Sequence, residues 1–212
     1  MNCCQYQGIE ETFNDQLAQK ELLQFRAKGP HKTTNMLINA LKEVGIQGLT
    51  ILDIGGGVGA VHQELLQAGC QSATDVDASK AYLQAAREEA QRRGLAGRIS
   101  YQHGNFVDLA ALIPDADVVT LDRVICCYPD MENMVRLSST HAKKLYGLVF
   151  PRDTWWIKIG TAMINLIYRL QRNQFRIFSH STRAVEALVS STGLVRRYYR
   201  RTLVWQVIVY SR

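Results

Sequence analysis

Residues 50–61, TILDIGGGVGAV, constrain the fold of this chain more than any other stretch. An apolar run is followed directly by four glycines within five residues, and a helical pattern starts behind them. A strand, a glycine turn and a helix in this order leave main-chain N–H groups bare at the amino end of the helix, where a polar or negatively charged group is favoured. The stretch therefore predicts a cofactor site at the end of a buried strand.

Strand and helix patterns keep alternating beyond the glycines. Further strands are predicted at 72–76, 99–104, 116–124 and 145–151, with amphipathic helices between them. Two closing strand-like runs, 193–201 and 202–212, have so little chain between them that they predict a hairpin. The fold class is therefore α/β: a Rossmann-like, doubly wound, mostly parallel seven-stranded sheet with a C-terminal antiparallel hairpin and extra N-terminal helices.

The domain organisation follows from the first 45 residues. Helical patterns at 9–27 and 33–44 precede the first strand, so we expect an N-terminal helical cap, 1–45, on a main domain, 46–212, within one globular unit. A further helix is predicted at 132–144. The segment 154–172 predicts a long amphipathic helix that could roof an apolar pocket, contact a membrane surface or simply cover the sheet.

Composition narrows the class of protein. No apolar segment reaches membrane-spanning length and the start lacks a secretory pattern, which predicts a cytoplasmic location. The five cysteines form neither a disulfide framework nor a metal-binding pattern, so no metal is expected. The net charge of +6 is concentrated near the end in RRYYRR, residues 196–201. A solvated strand face is favoured there over a nucleic-acid site.

The glycine stretch contains two cofactor patterns. Gly55, Gly57 and Ala60 satisfy G-x-G-x-x-A, which with Asp75 or Asp77 is compatible with a dinucleotide site. The fuller pattern D-x-G-x-G-x-G, which begins at Asp53, resembles motif I of class I S-adenosylmethionine-dependent methyltransferases. The resemblance continues through VDAS, HGNF and ADVVTLDRVICCYPD and spans about residues 42–212. It is the favoured interpretation.

The resemblance implies a set of residues that bind S-adenosylmethionine. Asp53 would help to hold the ammonium group, Asp77 would accept from the ribose hydroxyls, and Asn105 would accept from the adenine amine, with Phe106 over the ring. The complete predicted set is Asp53, Gly55, Gly56, Gly57, Asp77, Ala78, Asn105, Phe106 and Asp122.

The segments CYPD and LVFPRDTWW are similar to those of magnesium-protoporphyrin IX O-methyltransferases and their bacterial relatives, which methylate a propionate carboxylate. The resemblance implies a small-molecule acceptor, such as the carboxylate of a large apolar or tetrapyrrole-like compound. Arg123 could pair with that carboxylate, Tyr128 could donate a hydrogen bond to it, and His31 is a candidate base. Two alternatives stay open: an RNA methyltransferase, and a noncatalytic scaffold or sensor that binds the same cofactor.

Overall fold

The computed structural model describes residues 3–212, with side chains from residue 8 onward. The helices and strands, in chain order, are α1 (Cys3–Thr12), α2 (Asp15–Lys28), α3 (Lys32–Val44), β1 (Thr50–Ile54), α4 (Ala60–Gln67), β2 (Ser72–Asp77), α5 (Lys80–Arg92), β3 (Ile99–His103), α6 (Phe106–Leu109), β4 (Ala116–Asp122), α7 (Met131–Thr140), β5 (Ala142–Pro151), α8 (Trp155–Leu170), α9 (Thr182–Ser191), β6 (Val195–Arg201) and β7 (Trp205–Ser211). Short 3-10 turns lie at Ala96–Arg98, Ala110–Leu112 and Ile125–Cys127.

The seven strands form one sheet in the order β3-β2-β1-β4-β5-β7-β6. The first five are parallel, and β7 lies antiparallel to both β5 and β6. The predicted fold class is thereby confirmed. β1 pairs with β2 on one side and with β4 on the other, so the direction in which strands are added reverses there. In sheets of this kind, ligands bind in the crevice beyond the carboxyl ends of the strands at such a reversal.

Two apolar layers cover the sheet. One layer joins the strands to α6, α7 and α9, and the other joins them to α3, α4 and α5. Leu37 and Leu41 of α3 are fully buried in the second layer. The boundary predicted between 45 and 46 stays a prediction, but α3 packs directly on the sheet, in the same layer as α4.

Helix α2 lies outside that layer, against α5. Leu22 and Phe25 of α2 pack on Tyr82 and Ala85 of α5, and an ionic cluster centred on Glu89 adds to the contact. Burial alone would raise the pKa of Glu89, but hydrogen bonds from Arg92, Arg26 and Arg93 outweigh burial and lower it to about 2. The charged carboxylate thus ties α2, through Arg26, to the rest of the domain.

Two helix boundaries differ from the sequence-based expectation. The pattern at 9–27 predicted one helix, but α1 ends at Thr12 and α2 begins at Asp15, because the Asn14 side chain caps α2 by accepting from the N–H of Leu17. The helix predicted at 132–144 was too long. It ends at Thr140, and the two lysines after it belong to β5, just before the residues of that strand that pair with β7.

Candidate active site

A cavity of about 970 Å³ lies at the carboxyl ends of β1, β2 and β4. Helix α2, the start of α3 and helix α8 complete its walls. This volume is at the upper end of the range of about 300–1,000 Å³ for small-molecule sites, which leaves space for more than one ligand. Every residue predicted for the site lines this cavity: His31, Asp53, Gly55, Gly56, Gly57, Asp77, Ala78, Asn105, Phe106, Asp122, Arg123 and Tyr128.

The glycine turn has the bare main chain that the sequence predicts. Gly55, Gly57 and Gly59 have φ values of 66°, 58° and 83°, which side-chain-bearing residues rarely adopt. Gly56 is required for a different reason: a Cβ atom there would lie 2.5 Å from Oδ1 of Asp75. Either its backbone conformation or a close neighbour therefore disfavours a side chain at each of these glycines, and the main chain of the turn forms the floor of the cavity.

The structure distinguishes the two acidic candidates of β2. Asp75 is fully buried beneath Gly56 and does not line the cavity. Burial, Asp53 and Asp77 raise its pKa well above the usual value. Asp77 does line the cavity. Its Oδ1 accepts from the N–H of Ser79 at 2.8 Å and its Oδ2 from that of Gly57 at 3.1 Å. Each oxygen keeps a lone pair for a further donor.

The pKa of Asp77 reflects two opposed effects. Burial raises it to about 6, although the N–H groups of Ser79 and Gly57 favour the charged form and lower it. Asp53, on the neighbouring strand, also raises it, and this effect is included in the value of about 6. The carboxylate is therefore charged at neutral pH and becomes protonated within a pH range that experiments reach easily.

Asp53 is held by two residues that the sequence reasoning missed. Its Oδ1 accepts from Oγ1 of Thr120 at 2.7 Å, and its Oδ2 lies 2.8 Å from Nδ1 of His62. The Asp53 side chain is almost fully buried, so its predicted contact with an ammonium group would use the second lone pairs of these oxygens. His62 could have been found as a polar residue on the inward face of α4, one turn after the glycines.

Asn105 and Tyr128 are hydrogen-bonded to each other. Nδ2 of Asn105 donates to the phenol oxygen of Tyr128 at 3.2 Å and to Oδ2 of Asp108 at 2.8 Å. Both side chains are buried, and Phe106 beside them packs edge-on against His141. The Tyr128 hydroxyl therefore faces the predicted adenine side of the cavity, where it positions Asn105. This placement does not favour the predicted contact of Tyr128 with the acceptor.

Asp122 and Arg123 form a polar corner at the end of β4. Oγ1 of Thr34 donates to Oδ2 of Asp122 at 2.5 Å, and Nε of Arg123 donates to Oδ1 at 3.3 Å. Arg123 has φ 62°, a left-handed backbone that is uncommon for a residue other than glycine. Its N–H donates to the carbonyl of Val149, which fixes the turn. The guanidinium is about one-third exposed and thus accessible from the cavity.

His180 supports the loop after β4 and was not found from the sequence. Its Nε2 donates to the carbonyl oxygens of Ile125 and Tyr128, at 2.8 and 3.1 Å. Burial lowers its pKa, although these carbonyls favour the charged form. The residue lies more than 50 positions from its partners, so no local pattern could have indicated the contact. His31, in contrast, is exposed at the rim, at the N-terminus of α3.

The remaining wall of the cavity is predominantly apolar. Leu17 and Phe25 of α2 contribute to it, as do Ile157, Ile164 and Tyr168 of α8. The lysine and arginine side chains that line the cavity within the described residues are Lys28 and Arg123. The cavity therefore combines a polar floor of strand ends with an apolar roof near two cations.

The fold and the glycine turn are similar to those of class I S-adenosylmethionine-dependent methyltransferases. Residues 52–144 match the family model described as a methyltransferase domain. The matched range extends from β1 to β5 and therefore includes the glycine turn, Asp77 and the end of β4.

Individual methyltransferases resemble this chain in fold or over part of its sequence. The magnesium protoporphyrin IX methyltransferase of Synechocystis PCC 6803, solved with bound S-adenosylhomocysteine, superposes with a TM-score of 0.70 at 18% identity, over 85% of this chain and 82% of that one. The ribosomal protein L11 methyltransferase of Klebsiella pneumoniae is 35% identical over 71 residues, 34% of this chain and 24% of the relative. That of Edwardsiella ictaluri is 28% identical over 55% of this chain and 42% of the relative. The chain thus spans less than half of these curated relatives.

The basic strand β6 lies away from the cavity. Arg196, Arg197, Arg200 and Arg201 are exposed at the edge of the sheet, and none of them lines the cavity. Arg196 pairs with Glu186, and Arg197 donates to Ser211. These arginines form the solvated strand face that the sequence favoured.

Proposed function

We propose that the protein transfers a methyl group from S-adenosylmethionine to a carboxylate of a large apolar small molecule, such as a tetrapyrrole. The observation that carries the proposal is the uneven lining of the cavity. An apolar roof suits a large hydrophobic acceptor, and Arg123 lines the same cavity from the end of β4. A guanidinium binds a carboxylate with two parallel hydrogen bonds, which fixes both its position and its orientation.

The cofactor would occupy the polar floor. Gly55, Gly56 and Gly57 would lie against its amino-acid part, because no side chain separates their main chain from the cavity. Asp77 would accept from the two ribose hydroxyls with the lone pairs that its main-chain donors leave. Ala78, Asn105 and Phe106 would contact the adenosine, with the Asn105 amide held by Tyr128. Asp53 and Asp122 would add negative charge near the cationic end.

The proposed chemistry places few demands on catalytic groups. When bound, S-adenosylmethionine supplies a methyl carbon on a sulfonium; the carboxylate oxygen forms a bond to that carbon, the C–S bond breaks, and sulfur keeps the electron pair. No proton moves, because a carboxylate is already ionised at neutral pH, so the reaction does not require His31 as a base. The residues of the chain contribute by aligning the acceptor and excluding water. Arg123 orients the acceptor, and the apolar roof provides a dry environment.

The relatives support this choice without deciding it. The Synechocystis protein, by its name, acts on a tetrapyrrole, and its fold covers most of this chain. The L11 methyltransferases act on a ribosomal protein, but they match only part of the chain. The distance between strand β6 and the cavity does not favour an RNA acceptor.

The test is a methyl-transfer screen with S-adenosylmethionine labelled in its methyl group. Protoporphyrin IX and its magnesium complex are offered as acceptors, alongside quinone and lipid precursors, total RNA and ribosomal protein L11. We expect transfer to the porphyrin carboxylates, with a product from which alkali releases labelled methanol. Protoporphyrin IX dimethyl ester is the matched control, because it keeps the ring but has no free carboxylate.

Arg123→Gln should lower kcat/KM for the acceptor by about 10- to 100-fold, since a charge-assisted pair contributes about 1.5–3 kcal/mol. The affinity for S-adenosylmethionine, measured by calorimetry, should not change. Equal transfer to the dimethyl ester, or transfer only to RNA or to protein L11, would overturn the carboxylate proposal. Cofactor binding without transfer to any acceptor would favour the noncatalytic sensor.

A further inference from the structure

Helix α8 has two apolar faces, of which only one contacts the protein. Its inner face lines the cavity with Ile157, Gly160, Thr161, Ile164 and Tyr168. Its outer face is directed to solvent. The outer apolar side chains recur every three or four residues and form one stripe: Trp155, Ile159, Met163, Leu166, Ile167 and Leu170. Each is more than half exposed, and Trp155 and Leu170 are about three-quarters exposed. We call these six residues the outer stripe.

The outer stripe is not the usual scatter of apolar residues on a protein surface. Of the fourteen exposed large apolar side chains in residues 8–212, seven lie on α8, which is one helix of sixteen residues. Single exposed apolar residues are normal, whereas a contiguous patch marks a contact with a partner or a lipid. Leu203 and Val204 are also exposed, and their carbonyl groups accept hydrogen bonds from Arg152, just before α8.

The chain segment that contains the outer stripe carries charges of one sign. From residue 154 to residue 185 the sequence contains five lysines and arginines and no aspartate or glutamate. Lys158 and Arg169 are exposed and lie along one edge of the stripe, where long side chains can direct their charges to the same plane. An apolar stripe edged by cations is the pattern of helices that lie in the interface of an anionic membrane. A protein partner would require no such uniform charge.

We propose that α8 binds the surface of an anionic lipid bilayer, with the outer stripe in the interface and with Lys158 and Arg169 at the lipid phosphates. The helix would lie along the surface, because only its outer face is free to contact lipid. Within residues 3–212, none of the helices has the length and apolarity of a membrane span. Ile164 lines the cavity and is also 41% exposed, so the cavity wall reaches the edge of the outer stripe. An apolar molecule dissolved in the bilayer would therefore meet the cavity directly. The binding itself does not depend on the proposed methyl acceptor.

The first test is flotation of the full chain with vesicles of phosphatidylcholine alone, or mixed with phosphatidylglycerol. We expect the protein to float with the mixed vesicles. The double variant Met163→Gln, Leu166→Gln should bind at least about tenfold more weakly, because each change removes about one buried apolar side chain from the interface. Leu23→Gln with Leu112→Gln is the matched control: both residues are as exposed, but they lie on other surfaces. This control should float like the unchanged protein.

The second test separates charge from apolar contact. Lys158→Gln with Arg169→Gln should weaken binding to the mixed vesicles by about fivefold for each charge removed. Lys42→Gln with Arg136→Gln removes the same charge from other exposed sites and should have little effect. All four double variants should keep their thermal midpoint and their calorimetric affinity for S-adenosylmethionine, because none of the changed residues lines the cavity.

Three results would overturn the proposal. The protein does not float with mixed vesicles, or it floats equally well after both stripe residues are changed. The third result is that the protein does not float and that sedimentation shows a dimer, which Met163→Gln with Leu166→Gln dissociates. The outer stripe would then belong to an interface between two copies of this chain. If the unchanged protein floats with the mixed vesicles but transfers no methyl group to any acceptor, the proposed function is contradicted and the membrane contact is not.

Discussion

The two halves of the cavity are built by different means. The floor consists of strand ends and a tight turn, and its polar side chains are buried and bonded to one another, as Asp53 is to His62 and Thr120. The roof consists of helices, chiefly α8, whose outward face is exposed. A fixed floor suits a cofactor that is the same in every turnover, whereas a roof with few internal contacts can adapt to a bulky acceptor. The difference predicts that changes in one half leave the other intact.

The largest effect is expected at a glycine of the floor. Gly56→Ala would place a methyl group 2.5 Å from Oδ1 of buried Asp75. The turn must then shift, and we expect the affinity for S-adenosylmethionine to fall about 100-fold, or about 2.7 kcal/mol, by calorimetry. Gly160→Ala is the matched control in the roof, because a Cβ there meets nothing within 4 Å. Similar cofactor affinities for the two variants would show that the turn does not contact the cofactor.

The next effect concerns the charge of Asp77. Because burial raises its pKa to about 6 in the unliganded protein, a proton competes with the ribose hydroxyls for this carboxylate below that pH. Cofactor affinity should be constant from about pH 8 to pH 7 and should fall about tenfold by about pH 5. Asp77→Asn should weaken binding by about 1–3 kcal/mol at neutral pH and should remove this pH dependence. Calorimetric binding titrations at several pH values would measure this dependence. If Asp77→Asn keeps the pH profile of the unchanged protein, the protonation of another group causes it.

A smaller effect, confined to the roof, should follow Gly160→Leu. The new side chain would extend into open space at the cavity wall without touching the floor. We expect the binding of protoporphyrin IX, followed by its fluorescence, to weaken about tenfold, while the affinity for S-adenosylmethionine stays within about twofold. If the cofactor affinity falls as much as that of the porphyrin, the two halves are not independent.

The sequence predicted the floor better than the roof, for physical reasons. The glycine turn and Asp77 are local: their roles depend on spacing within one strand, turn and helix. The alternation of strands and helices predicted the sheet for a similar reason. The spacing of apolar residues within each strand or helix depends only on which face of that element is buried. The position of Asp75, which the dinucleotide alternative also offered, is not local: only the folded chain shows that it lies beneath Gly56 and does not line the cavity.

The parts that the sequence did not predict depend on contacts between distant segments. His180 bonds to carbonyl groups more than 50 residues away, and the inward position of His62 depends on how α4 packs on β1. The pattern of α8 predicted an amphipathic helix, but a broad apolar surface could equally have been buried. The exposure of the outer stripe in the folded chain shows that this face of α8 is directed to solvent and does not cover the sheet.

The left-handed backbone at Arg123 has a consequence for the evolution of stability in this chain. Glycine adopts φ 62° without strain, so Arg123→Gly should raise the free energy of unfolding by at most about 1 kcal/mol, because the lost hydrogen bond to Asp122 offsets part of the relieved strain; urea denaturation measures the change. The same change would remove the guanidinium that lines the cavity at the end of β4. Selection for thermal stability alone would therefore favour the loss of this side chain. If arginine is still found at position 123 in variants selected for both stability and activity, its function in the cavity, and not its effect on folding, is the reason.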